Sequence, residues 1–166
     1  MKALFLDIDD VLCSLKTVAA TGEWPHDFKD PNKFDQHTLA LLRKLGKAGV
    51  VFVLSSTWRM HFTPPEAAAG LNLPIVDCTP ASGSGFRGSE IAEWLSENPQ
   101  VTHYAILDDS DDMLDEQTNN FVHVTGEAGM RLRDFRALCQ ILDVSYESLT
   151  APKGPFMRHA NGEEPM

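Results

Sequence analysis

The most constraining feature of this chain is that its longest apolar runs end in clusters of polar and acidic residues. Lys2 to Ile8 (KALFLDI) is rich in strand formers, shows no alternation of polar and apolar residues, and passes straight into Asp7, Asp9 and Asp10. A strand without alternation needs cover on both faces, as in a parallel sheet flanked by helices. The same construction recurs in Val50 to Leu54, which leads into Ser55-Ser56-Thr57-Trp58-Arg59, and in Tyr104 to Leu107, which leads into Asp108-Asp109. Helical periods lie between the strands. Phe34 to Lys47 spaces Leu39, Leu42 and Leu45 by three, Ser89 to Glu97 sets Ile91, Trp94 and Leu95 on one face, and Met130 to Leu142 does so with Leu132, Phe135, Leu138, Ile141 and Leu142. A short helix starts near Pro65, and Pro74 to Val76 and Phe121 to Val124 supply the third and fifth strands. Strands alternating with helices predict an α/β fold, a doubly wound, mainly parallel five-stranded sheet of Rossmann-like type, whose ligands bind beyond the carboxyl ends of the strands.

With 166 residues the chain is one domain, assigned to residues 1–149. Residues 13–33 break every period with Gly22, Trp24, Pro25 and Pro31 and are expected to form an irregular loop or small flap. Residues 150–166, with Pro152, Gly154, Pro155, Gly162 and Pro165, are expected to form a mobile tail. A net charge of −10 argues against broad binding of long nucleic acid, which depends on Lys and Arg neutralising phosphates. No stretch approaches the ~20 apolar residues of a membrane span, so a cytoplasmic protein without a membrane partner is expected. Cys13, Cys78 and Cys139 make no CxxC or Cys/His pattern, and the six histidines show no metal-ligand spacing.

The acids define the chemistry. Asp7 and Asp9 are two residues apart, so an extended backbone points both to one side and a turn after Asp9 lets their carboxylates converge. One carboxylate of such a pair can attack phosphorus while the other donates a proton to the leaving group. Asp108 and Asp109 supply a second acidic cluster suited to a hard cation such as Mg²⁺. Ser56, Thr57 and Arg59 after the second strand, Asp10 beside the acids and Trp24 in the flap are candidates for touching substrate. Arg59 could pair a phosphate, with Trp58 and Phe62 positioned to stack a base. Trp58 and Trp94 otherwise belong to the core.

The order DxDxV, strand-Ser, Arg before a helix, and strand-DD resembles the haloacid dehalogenase (HAD) superfamily of phosphohydrolases over about Met1 to Leu142. The resemblance implies a nucleophile at Asp7, forming an aspartyl-phosphate, and a general acid/base at Asp9 whose backbone carbonyl also faces the metal. It implies a phosphoryl-binding hydroxyl at Ser55 and, at Arg87, the base that stabilises the phosphoryl intermediate. Arg87 replaces the usual Lys, Asp10 a frequent Gly, and Val11 a frequent Thr. Asp109 is favoured over Asp108 as the direct metal ligand beside Asp7 and Asp9, with Asp111 or Asp112 acting through water. VLSSTWR, RGSEIAEWL and YAILDDSDDML together are similar to the HAD domain of the "Swiss army knife" RNA repair proteins. That similarity implies an Mg²⁺-dependent phosphatase for nucleic-acid ends, 3′-phosphate or 2′,3′-cyclic phosphate, RNA or DNA, working beside a repair ligase or kinase. The short insertion implies a capless, open site. Two other readings stay open: a phosphatase of nucleotides or other small molecules, and a non-catalytic module that binds a phospho-ligand or partner.

Overall fold

The computed structural model describes residues 1–83 and 85–154. Five parallel strands, β1 (Lys2–Leu6), β2 (Val50–Leu54), β3 (Ile75–Cys78), β4 (His103–Asp108) and β5 (Phe121–His123), form one open sheet in the order β3-β2-β1-β4-β5. The chain winds outward from β1 through β2 to β3, then returns to the other side of β1 for β4 and β5. The reversal between β1 and β4 is a topological switch point, where the carboxyl ends of two neighbouring strands open a crevice. Leu6 stands in register with both Leu54 and Leu107, and the ladder continues one step further through Ser55 N–H to Leu6 O (3.0 Å) and Asp7 N–H to Leu107 O (3.1 Å). Asp7, Ser55 and Asp108 therefore share one level of the sheet.

Both faces of the sheet are covered. Leu4, Leu6, Phe52, Leu54 and Leu107 pack in the larger core with α2 (Gln36–Lys47), α3 (Pro64–Leu71) and α5 (Leu132–Ile141); Phe5, Val53 and Ile106 pack in a smaller one with Ile91 and Trp94 of α4 (Arg87–Glu97). The helix starts follow from capping chemistry. Asp35 accepts the Thr38 N–H ahead of α2, and Thr63 and Glu66 make a reciprocal capping box at α3 that places Pro64 and Pro65 in its first turn, where no donor is lost. α4 begins two residues before the predicted Ser89, so that Arg87 lies in its first turn.

One expectation needs correction. Residues 13–33 are not wholly irregular: Ser14 accepts the Thr17 N–H and starts α1 (Leu15–Thr21), which Gly22 ends at φ +88°. This helix lacks an apolar stripe, burying only Thr17, and so left no periodic signal. The segment is also pinned at its base. Phe28 is buried, and its backbone approaches α3 so closely that a Cβ on Gly70 would lie 2.5 Å from the Phe28 carbonyl oxygen. After α5 a further short helix, α6 (Tyr146–Thr150), is capped by Ser145 and ends where the tail was expected to begin. Of that tail, residues 155–166 lie outside the described residues.

Candidate active site

Asp7 is the first residue beyond β1 and Asp108 the last of β4, and a single guanidinium joins them. Arg87 Nη1 lies 2.8 Å from Asp7 Oδ1 and 2.6 Å from Asp108 Oδ2. It reaches both acids because α4 starts beside them: Asp112 Oδ2 accepts the Arg87 N–H (3.0 Å) and the Asp112 carbonyl accepts the Gly88 N–H (3.1 Å). A side chain on Gly88 would meet Leu114 N at 2.6 Å, so the helix end and the 110–117 loop touch backbone to backbone. Asp111 or Asp112 was expected to act through water at the metal; the Asp112 carboxylate fastens the Arg87 backbone and the Ser110 hydroxyl.

Burial governs the electrostatics. Asp7 is 3% exposed and Asp108 fully buried. Burial first and the Asp108 charge second push the Asp7 carboxyl up to about 7, against the opposing pull of Arg87 and of the hydrogen bond from Ser56. Burial likewise raises Asp108, opposed by Arg87 and the Ser110 N–H. For Arg87, burial works against the charge, but Asp7 and Asp108 outweigh it and hold the guanidinium firmly protonated. Asp109 completes the cluster: one carboxylate oxygen each from Asp7, Asp108 and Asp109 lie within 4.8 Å of one another. Three acids against one Arg leave an excess of negative charge in a mostly dry place, which a divalent cation with a preference for oxygen ligands would neutralise. The residues therefore fit a hard cation. Asp108 already gives Oδ2 to Arg87 and Oδ1 to the Ser110 N–H, whereas Asp109 is half-buried and is held through its backbone carbonyl by His123 Nε2 at 2.7 Å.

A family model described as the HAD domain in Swiss Army Knife RNA repair proteins matches residues 3–135. The chain belongs to this HAD family. No curated protein and no solved structure matches it. The matched span runs from β1 into α5, so it contains all five strands and the acids at their ends. HAD domains make up a superfamily of phosphohydrolases that generally uses Mg²⁺, and the three-aspartate cluster could hold such an ion. Among the described residues no helix is long and apolar enough to cross a membrane.

The structure distributes the remaining predicted site residues unevenly. Ser55 is fully buried on the level of Asp7, and among the described residues its hydroxyl has no hydrogen-bond partner. The hydroxyl that bonds Asp7 belongs to Ser56, which also caps the turn Thr57–Met60 by accepting the Trp58 N–H. Asp10 takes the left-handed conformation (φ 58°) that turns the chain after Asp9, and its carboxylate lies against Gly126, where a Cβ would come within 2.7 Å of it. Thr57 is exposed and lines a cleft together with Asp9. Trp24 is 42% exposed on the flap, next to Pro25 of that cleft's wall.

Arg59 differs most from its expected role. Its Nη2 lies 2.6 Å from Glu90 Oε2 in α4, with both side chains 7% exposed. Its other nitrogens donate to the carbonyls of Ser55 (3.1 Å), Ser56 (2.9 Å) and Thr79 (3.0 Å). With four of its five N–H groups engaged in this way, the guanidinium is a brace between the β2 turn and α4 and keeps no two-pronged fork for a phosphate. The sequence signal was available in retrospect, since Glu90 is a buried acid on the inner face of a helix and needs a cation.

Trp58 was assigned to the core and also serves the site. Its ring is buried among Phe28, Phe34 and Phe62, with centroids 4.8, 5.9 and 5.5 Å away. Its Nε1–H points at Asp9, 3.0 Å from Oδ1 and 3.1 Å from Oδ2. An indole has an apolar body and one polar handle, so a periodicity reading finds the body and misses the handle.

Proposed function

We propose that this protein is an Mg²⁺-dependent phosphomonoesterase that works through an aspartyl-phosphate on Asp7 and acts on the end phosphates of nucleic acids, RNA foremost. The observation that carries it is the buried Asp7–Arg87–Asp108 bridge, which sets a carboxylate nucleophile beside a fixed cation at the switch point of the sheet. In the first half-reaction an Asp7 carboxylate oxygen attacks phosphorus, the bond from phosphorus to the leaving oxygen breaks, and Asp9 gives that oxygen a proton. In the second, Asp9 takes a proton from water as the water oxygen attacks phosphorus, and the Asp7 carboxylate is released with inorganic phosphate. Arg87 and the Ser55 and Ser56 hydroxyls are the donors that hold the phosphoryl oxygens. Asp7, Asp109 and Asp108, with the Asp9 backbone carbonyl, would hold Mg²⁺, which offsets the summed charge of carboxylates and phosphate. An end cleared of phosphate is a substrate for joining or rephosphorylation, so a ligase or kinase is the partner class this activity serves.

The test is phosphate release from matched oligonucleotides bearing 3′-phosphate, 5′-phosphate or 2′,3′-cyclic ends, with mononucleotides and an aryl phosphate alongside, in Mg²⁺ and in chelator. Release from one polynucleotide end that chelator abolishes is expected. Release from small esters alone would remove nucleic-acid ends from the reading, and silence on every substrate would leave a phospho-ligand binding module.

Trp58 gives a finer check of Asp9. Trp58→Phe keeps an aromatic ring, though a smaller one, in the nest and removes the donor to Asp9. Proton donation matters for a poor leaving group and little for a good one. The variant should therefore lose about 10- to 30-fold in kcat/KM, which reports the step in which the leaving group departs, on an alkyl phosphate but no more than about threefold on p-nitrophenyl phosphate. Equal losses on both esters would mean that the indole N–H only stabilises the fold.

A further inference from the structure

Asp9 faces a second feature that the phosphoryl chemistry does not use. Between the flap and the turn after β2 lies a cleft of about 360 Å³, walled by Asp9 and Trp58 together with His26, Met60, His61 and Phe62. We propose that this cleft is the leaving-group subsite and that it seats one nucleoside, the terminal unit of a nucleotide monoester. The inference rests on the phosphatase reading above. In-line displacement puts the leaving oxygen opposite Asp7, and that oxygen must come within reach of the group that protonates it. Asp9 is that group, and its carboxylate is a wall of the cleft, fixed there by the Trp58 indole at 3.0 and 3.1 Å. The alcohol attached to the leaving oxygen therefore enters the cleft.

The lining states the class of that alcohol. Beside Pro25 and the Thr57 hydroxyl it presents an indole, a phenyl ring, two imidazoles and a thioether around the one acid, and no Lys or Arg is among the described residues that form it. Such walls suit a flat, uncharged ring and offer no counter-charge to a second phosphate. The volume is at the low end of the ~300–1,000 Å³ typical of small-ligand sites, enough for one nucleoside. The flap side is firm where it meets this wall, since Phe28 packs on both Trp58 and Phe62 (4.8 and 5.1 Å between centroids). Met60 and His61 are exposed at the rim. Because the chain carries a net charge of −10, further nucleotides gain nothing from general electrostatic attraction. A free mononucleotide and a strand end with the same terminal nucleoside should thus be handled alike.

The experiment compares esters of matched leaving-group basicity: nucleoside 3′-monophosphate against glycerol 2-phosphate, and nucleoside 5′-monophosphate against glycerol 1-phosphate. A decanucleotide carrying the better of the two ends is run alongside. At least one nucleotide should exceed its ring-free partner by more than about tenfold in kcat/KM, the decanucleotide should match it within about threefold, and Met60→Ala/His61→Ala should cut that selectivity ratio at least fivefold. A ratio of about ten or below, a ratio unmoved in the variant, or a decanucleotide preferred more than threefold would each overturn the subsite. Failure of the phosphatase reading has a different signature, the absence of Mg²⁺-dependent release from any ester, glycerol phosphates included. In that case calorimetric binding of the same nucleotide and glycerol phosphate pairs to Asp7→Asn protein in Mg²⁺ decides the subsite by the same ratio.

Discussion

Asp7→Asn is expected to lose phosphate release by about 10⁴-fold or more while making the metal-free protein more stable at neutral and alkaline pH. On the proposed mechanism the catalytic loss follows from turning the carboxylate nucleophile into an amide that does not attack phosphorus. The stability gain follows from linkage. In the folded chain the Asp7 carboxyl is pushed up to about 7 from an ordinary value of 3.8, by burial and then by Asp108. Between those values the folded state holds a proton that the unfolded state has released, so stability falls as pH rises from about 4 to about 7 and stays lower above that. Asparagine has no such proton, and it leaves Arg87 and Asp108 as a neutral buried pair. The gain should be near zero at pH 4 and reach ~2 kcal/mol at pH 8, the Arg87–Asp7 attraction being already contained in the raised value. For a chain of this size that is an increase in Tm of about 4–8 °C. Mg²⁺ should raise the Tm of the wild type more than that of the variant, because the wild type carries the additional charge. Calorimetric melts of both proteins at pH 4, 6 and 8, with and without Mg²⁺, check each part. A variant less stable than wild type at pH 8 without metal would show that Arg87 already compensates Asp7 in full.

Arg59→Ala is expected to be among the most destabilising single changes in this chain. It leaves Glu90 buried without its partner and frees the Ser55, Ser56 and Thr79 carbonyls from their donor. Breaking a buried pair from one side costs about 3–5 kcal/mol. Urea unfolding should show this as a lower midpoint. Arg59→Met combined with Glu90→Leu, which removes both charges and keeps volume, should recover at least half of the loss. Activity should suffer in Arg59→Ala even under conditions where it is folded, because Glu90 lies one turn from Arg87 on α4 and the brace ties that helix to the turn carrying Ser55 and Ser56. Stability within 1 kcal/mol of wild type would show that water replaces the guanidinium at no cost, and with it that Arg59 is free to serve substrate.

The strand ends were legible in the chain because an apolar run without alternation has one physical solution, a parallel strand covered on both faces, and its polar end then falls at a crevice. That logic located Asp7, Asp9, Asp108 and Asp109 before any geometry was known, and the spacing of Leu39, Leu42 and Leu45 placed α2 in the same way. Elements without a hydrophobic stripe left no such trace. α1 and α6 depend on Ser14 and Ser145 caps and on tertiary contact: α1 buries only Thr17, and α6 is one short turn that half-buries Tyr146 and Leu149 against the larger core. Within the site, composition and order named the residue types at hand, but only the packed structure decided what each polar head touches. Arg59 turned inward because Glu90 and three carbonyls offered it more than solvent did, Ser56 reached Asp7 because its turn cap aims it there, and Trp58 reached Asp9 because an aromatic nest fixed its ring. Hydrophobic periodicity is written along the chain, residue by residue. The partner of a hydrogen bond is chosen across distances of 31 residues from Arg59 to Glu90 and 49 from Asp9 to Trp58, and it is set only when the elements meet.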